Sequence, residues 1–143
     1  MVYHPAVQEN NSIPVTILLV EDDHVNMNLF CIMLKEINAD WNILGAVNGK
    51  DAIAKFTKQR PDLIFMDIQM PVMDGIKATK AIRELERENQ VPIIAVTASV
   101  FVHDRNHCFE AGMNDFTTKP IVMDTFKIMI DKWLPAELTG SYL

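Results

Sequence analysis

The run Asp62-Leu63-Ile64-Phe65-Met66-Asp67-Ile68-Gln69-Met70-Pro71 constrains this chain more than any other stretch. Its apolar residues continue without a polar interruption and stop at a carboxylate, after which loop chemistry begins. A strand with one wet face would alternate between apolar and polar residues. An unbroken apolar run fits a strand buried on both faces, as in a parallel sheet. In an open parallel sheet, ligands and chemistry gather just beyond the carboxyl ends of the strands. Asp67 sits at such an end. It is therefore the candidate working group, and other strand ends are expected to feed the same site.

The remaining chain supplies those strands. Residues 17–20 form a short apolar run that ends in Glu21-Asp22-Asp23. Residues 26–37 carry Met27, Phe30, Met33, Leu34 and Ile37 at helical spacing. A second strand is expected over 41–47, a turn at Asn48-Gly49, and a helix over 50–57 with Ile53 and Phe56 on one face. The third strand covers 63–66. Met73-Asp74-Gly75 opens a helix predicted to run to Glu88, with Ile82 and Leu85 facing inward. Its charged residues Lys77, Lys80, Arg83, Glu84, Glu86, Arg87 and Glu88 read as a solvated face. A fourth strand follows over 92–97, then a helix over 104–111 that Gly112 stops. Residues 114–118 form a less apolar fifth strand, followed by Lys119-Pro120. Residues 123–134 form the last helix, with Phe126, Ile130, Trp133 and Leu134 as candidate core. Five strand–helix units in alternation specify an α/β fold, a doubly wound parallel sheet with helices on both faces. The expected organisation is a lead-in over 1–14, one domain over 15–134 and a tail over 135–143.

Composition removes several function classes. The 143 residues suit one domain, and a formal net charge of -6 argues against a nucleic-acid partner, which needs a basic face. No apolar run approaches the roughly 18 residues of a membrane span. The polar first residues lack a signal core, so the expectation is a cytoplasmic protein with no membrane insertion. Cys31 and Cys108 stand apart and read as buried free thiols. His103 and His107 share a helical face, but the metalloprotease pattern needs Glu after the first His and Asp104 stands there. They read as a partly exposed pair.

The strand ends carry a constellation. Asp22 and Asp23 follow the first strand, Asp67 ends the third, Thr97 the fourth, and Lys119 follows the fifth. In one parallel sheet these would converge at one edge. Two carboxylates about 4 Å apart repel by roughly 4 kcal/mol at an effective dielectric near 20, so the cluster must bind a proton or a cation. An all-oxygen site suits Mg²⁺, which takes one or two protein carboxylates and leaves room for phosphate oxygens. A carboxylate is itself able to act as a nucleophile and form an aspartyl phosphate. Phosphoryl transfer then needs positioning and charge neutralisation more than covalent help.

With these residues in order, residues 15–134 resemble the receiver domain of two-component response regulators, the CheY-like family. The resemblance is carried by Val20-Glu21-Asp22-Asp23, Met66-Asp67-Ile68-Gln69-Met70-Pro71-Val72-Met73-Asp74-Gly75, Val96-Thr97-Ala98, Ala111-Gly112-Met113 and Lys119-Pro120. It implies a five-stranded flavodoxin-like sheet in the order 2-1-3-4-5. It makes Asp67 the phosphoacceptor, and Asp23 and Asp67 direct Mg²⁺ ligands with the backbone carbonyl of Gln69. Asp22 would act through metal-bound water. Lys119 would pair with Asp67 or the phosphoryl group, and Thr97 would be the switch hydroxyl. Phe116 matches the aromatic switch position, where many members have Tyr, so the phenol hydrogen bond is lost while an inward swing remains. Gln69 and Ser99 would tune dephosphorylation, and the Lys119-Pro120 peptide is expected to be cis. The donor would be a histidine kinase or phosphotransfer protein, and the reader a downstream protein partner or a kinase module. The chain would be a single-domain regulator or the receiver of a hybrid histidine kinase, with wording around Asp67 and over 104–119 closer to the latter.

Three rivals meet specific objections. A haloacid-dehalogenase-like phosphohydrolase wants a second Asp two residues after its nucleophile, and Gln69 stands there. A flavodoxin-like FMN binder wants a Ser/Thr/Gly-rich loop after the first strand, where Glu21-Asp22-Asp23 would repel phosphate. A phosphorylation-inert interaction module would have lost site residues that are intact here.

Overall fold

The computed structural model describes residues 14–98, 101–135 and 138. Within them, strands and helices alternate: β1 (Thr16–Val20), α1 (His24–Ile37), β2 (Asn42–Ala46), α2 (Gly49–Lys58), β3 (Leu63–Asp67), α3 (Gly75–Leu85), β4 (Ile93–Thr97), α4 (Val102–Ala111), β5 (Asp115–Thr118) and α5 (Met123–Trp133). All four pairings are parallel and the order is 2-1-3-4-5, as the family resemblance implies. The expected lead-in lies outside the described residues except for Pro14, and so does most of the expected tail.

The sheet divides the apolar residues by parity, because successive strand side chains point to opposite faces. Ile17, Leu19, Leu63, Phe65, Ile94 and Val96 pack with Phe30 and Leu34 of α1 and Phe126 and Ile130 of α5. Leu18, Val20, Ile64, Met66, Ile93 and Ala95 pack with Phe56 of α2, Ala78 and Ile82 of α3 and Cys108 of α4. Both faces are thus covered, which is why β1, β3 and β4 read as continuous apolar runs. Phe126 meets Phe65 edge to face at 4.9 Å and Phe30 at 5.6 Å between ring centroids.

Capping side chains set where the helices begin. Asp23 caps α1, accepting from the Val25 and Asn26 N–H groups at 2.8 and 3.0 Å, so α1 starts at His24 rather than at Asn26. Asn48 caps α2 through the Asp51 N–H, and Asp74 caps α3 through the Lys77 N–H. Gly112 ends α4 with φ 109, a conformation that costs residues with a Cβ.

Two expectations about α3 are corrected. The helix stops at Leu85, three residues before Glu88, because Glu86 turns to extended backbone and accepts the Val91 N–H on Oε2 at 2.6 Å. Its other oxygen meets Arg83 Nη1 at 2.6 Å. Arg83 also donates to Gly112 O at 2.9 Å and to Asn114 Oδ1 at 2.8 Å. Arg83 and Glu86 therefore belong to a largely buried latch between α3 and the start of β5, not to a solvated face. Leu85, expected inside, is 50% exposed and lines an open groove with Phe56 and Arg60. Trp133 is only partly buried, since its indole N–H reaches Asp115 Oδ2 at 2.8 Å.

Candidate functional site

The sheet order reverses between β1 and β3, and a doubly wound sheet opens its crevice at the carboxyl ends flanking that point. Asp67 is the last residue of β3 and still pairs with Val96 of β4. Beyond β1 the ladder also continues, since the Glu21 N–H donates to Ala46 O at 2.9 Å. The register pairs Leu19 with Phe65 and Val20 with Met66, so one more step sets Glu21 abreast of Asp67. Both side chains are buried, at 3% and 4% exposure, at the mouth of the crevice.

Lys119 bridges them. Its Nζ donates to Asp67 Oδ2 at 3.2 Å and lies 3.0 Å from Glu21 Oε1. The Lys119 N–H donates to Thr97 O at 2.8 Å, fastening the end of β5 to the end of β4. The Lys119-Pro120 peptide is cis, as expected. Asp67 Oδ1 accepts the Gln69 N–H at 3.3 Å, and Glu21 Oε2 accepts the Asp23 N–H at 3.2 Å. Carboxylate oxygens of Glu21, Asp22 and Asp67 lie within 4.8 Å of one another. Glu21 Oε1 is buried, and the Lys119 ammonium is its charged partner.

This arrangement is electrostatically strained. Burial raises the Asp67 pKa to about 7, and Glu21 repulsion adds to it, despite the opposing pull of Lys119. Burial pulls the Lys119 ammonium the other way, but hydrogen bonding and charge from Glu21 and Asp67 prevail and raise its pKa. One ammonium thus faces three clustered carboxylates. The all-oxygen donor set and its surplus negative charge fit a hard divalent cation, so the cluster passes the chemical test for Mg²⁺.

The expected and observed sets differ at one acid. The structure brings Asp67, Asp22 and Lys119 together, places Thr97 buried at the end of β4, and puts exposed Gln69 on the loop after Asp67. Asp23, expected as a direct ligand, is absent from the cluster because its carboxylate caps α1. Glu21 takes the inward place, which the sequence reading missed. Its signal was strand parity: Glu21 follows Ile17 and Leu19 on one face, while an Asp just before an amphipathic helix is a cap. Ser99 lies outside the described residues. Phe116 is half-buried on β5, with the Arg105 guanidinium 4.8 Å from its ring centroid.

The β3–α3 loop is tightly drawn around the site. Val72 adopts φ 69, unusual for a β-branched residue, inside a three-residue turn closed by Met73 N–H to Pro71 O at 2.7 Å. Gly49 of α2 donates to Met73 O at 2.9 Å, and Gly75 to Ile68 O at 2.9 Å.

Fold and site together define a class: a flavodoxin-like α/β domain with a lysine-bridged acid cluster at its topological switch point. Residues 17–131 match the response regulator receiver domain family, and the chain belongs to that family. It is a receiver domain of two-component signalling, and such domains are signalling modules. It is 40% identical over 123 residues to hybrid signal transduction histidine kinase L of Dictyostelium discoideum, a match covering 82% of this chain and 7% of that protein. The chain thus spans a small part of the hybrid kinases it resembles. A receiver domain from a Pseudomonas aeruginosa sensor histidine kinase, with a magnesium ion in its active-site cleft, is 37% identical with a TM-score of 0.76. That match covers 85% of this chain and 98% of that one. The receiver domain of Saccharomyces cerevisiae Ssk1, crystallised with the histidine phosphotransfer protein Ypd1, is 30% identical with a TM-score of 0.79. It covers 90% of this chain and 94% of that one. Among the described residues no helix is long and apolar enough to cross a membrane.

Proposed function

We propose that Asp67 accepts a phosphoryl group from a phosphohistidine of a histidine kinase or phosphotransfer protein. An Asp67 oxygen forms the new O–P bond, the P–N bond to the donor imidazole breaks, and that nitrogen regains a proton. The observation that carries this reading is the buried Asp67 carboxylate, bonded to Lys119 and clustered within 4.8 Å of Glu21 and Asp22. Asp22, Asp67 and the Gln69 carbonyl would hold Mg²⁺, with Glu21 behind them. The ion would supply positive charge for phosphoryl oxygens that the carboxylates would otherwise repel. Lys119 then leaves its carboxylate contact for a phosphoryl oxygen, and the Thr97 hydroxyl turns toward another. By the family resemblance, Gln69, exposed on the loop after Asp67, and Ser99 would tune hydrolysis of the product.

The acyl phosphate carries about −2 where the Asp67 carboxylate carried −1, so phosphorylation adds about one negative charge to the crevice. Thr97 and Lys119 follow that charge, Phe116 turns inward, and the face built from α4, β5 and α5 changes its affinity for a partner. The partner responds because it binds the two states differently. The test is incubation with acetyl phosphate and Mg²⁺. Mass spectrometry should find one phosphoryl group, acid-stable and base-labile, on the peptide containing Asp67. A label on another peptide, or none at all, would sink the assignment.

An exposed apolar surface beside the crevice supports docking of the donor there. Val25, Leu29 and Ile32 form an exposed apolar stripe on α1, at 75%, 44% and 58% exposure. Beside it, a groove of about 260 Å³ runs from Leu29 and Phe30 past Pro120 to Lys119. An apolar helix carrying the phosphohistidine would cover the stripe and bring the phosphoryl group to the crevice. Leu29→Asp should therefore slow transfer from a phosphohistidine protein by about tenfold or more while leaving acetyl phosphate uptake unchanged. Equal losses with both donors would place the defect in the site rather than in docking.

A further inference from the structure

The inward turn proposed for Phe116 would take it out of the environment it has in the structure. In the structure its ring lies half-buried on β5 under the Arg105 guanidinium, 4.8 Å from the ring centroid. A separate cavity of about 80 Å³ opens between β4, the β3–α3 loop and α4, with Thr97, Ile76, Asp104 and Cys108 among its walls. Phe116 does not line that cavity, and neither does Arg105. An inward turn of the ring toward Thr97 would carry it away from the Arg105 guanidinium. Arg105 is exposed, so the contact belongs to the weaker, hydrated kind of cation–π interaction, equivalent to about a two- to fivefold bias.

A bias of that size matters because few side chains of α4 are buried. Of its described side chains only Cys108 and Ala111 are buried. At its C-terminal end it is anchored, where Gly112 O accepts from Arg83 at 2.9 Å. Arg105 lies in the first turn, away from that anchor.

We propose that Arg105 is a positioning residue that holds Phe116 outward and so sets how readily this receiver enters its phosphorylated form. The proposal rests on the reading of Asp67 as phosphoacceptor. A contact present in only one of two states shifts the equilibrium by its full strength. Removing it should therefore favour the inward form before any phosphate is added.

The experiment compares the parent with Arg105→Met, which keeps a long apolar stem and loses the charge. Beryllofluoride, a phosphoryl mimic, is titrated in Mg²⁺, and the Phe116 ring resonances are followed by NMR without it. Arg105→Met should bind beryllofluoride about two- to fivefold more tightly. Its Phe116 resonances should already lie displaced toward those of the saturated parent. In a Phe116→Leu background the same substitution should change nothing, since the ring face is gone. Parent-like affinity and parent-like ring resonances in Arg105→Met overturn the proposal, as does a gain that persists in Phe116→Leu. A parent protein indifferent to beryllofluoride refutes the phosphoacceptor reading instead. The ring resonances of the two unliganded proteins then still decide the Arg105 contact, and coincident spectra overturn it.

Discussion

A protein carrying Asp67→Asn should take up no phosphoryl group, yet in EDTA at pH 8 it should be more stable than its parent by about 1–3 kcal/mol. Both effects have one cause. Folding places Asp67 in a buried site beside Glu21, and its pKa rises from 3.8 to about 7. Between those values the folded state keeps a proton that the unfolded state has released. Stability therefore falls as pH rises through that window, and stays lowered above it. Asn has the same shape and accepts a hydrogen bond from Lys119, but has no charge to bury. The advantage of the variant should vanish below about pH 4, grow up to about pH 7 and then level off. Mg²⁺ should narrow the gap, because the parent gains more from a cation than the variant does. Urea unfolding of both proteins from pH 4 to pH 8, with EDTA and with Mg²⁺, measures all of this. A less stable variant at pH 8 would mean that attraction to Lys119 outweighs the cost of burial.

Gly75→Ala should be as damaging as a single methyl can be in this fold. A Cβ at Gly75 would stand 2.2 Å from the carbonyl oxygen of Asp67 and 2.9 Å from Met66 Cγ. No rotamer relieves a collision with backbone, so the end of β3 or the start of α3 must move. The helical preference of Ala over Gly returns at most about 1 kcal/mol. We expect a net loss of more than about 2 kcal/mol and weaker Mg²⁺ binding, because the displaced backbone carries Asp67 itself. Gly45→Ala is the matched control. Its Cβ would meet only the end of the Met27 side chain, with Sδ at 3.2 Å, which can turn aside. Thermal melts and Mg²⁺ titrations of the two variants should diverge sharply. Similar behaviour would remove Gly75 from its place as the close-packed support of Asp67.

The crevice was partly legible before any coordinates. Asp67, Thr97 and Lys119 each stand where an apolar strand ends, and the alternation of strands and helices requires those ends to share an edge. Glu21 was not legible in the same way. Three acids in a row follow β1, and composition does not say which one faces inward. The register with β3 decides it for Glu21, and the cap of α1 removes Asp23. Arg83 and Glu86 show the same limit. In the sequence they belong to a charged helical run, but Arg83 finds its partners at Gly112 and Asn114, 29 and 31 residues away.

The sequence by itself determined the element order, the doubly buried strands and the chemical kind of site, because periodicity and burial are local properties of residue type. The tertiary structure alone decided which acids face one another and that Lys119 spans Glu21 and Asp67. It also decided that Phe116 lies under Arg105 rather than in the cavity beside Thr97. Those facts depend on register and on side-chain reach between segments far apart in the chain, which local patterns such as strand parity and helix caps narrow but do not fix.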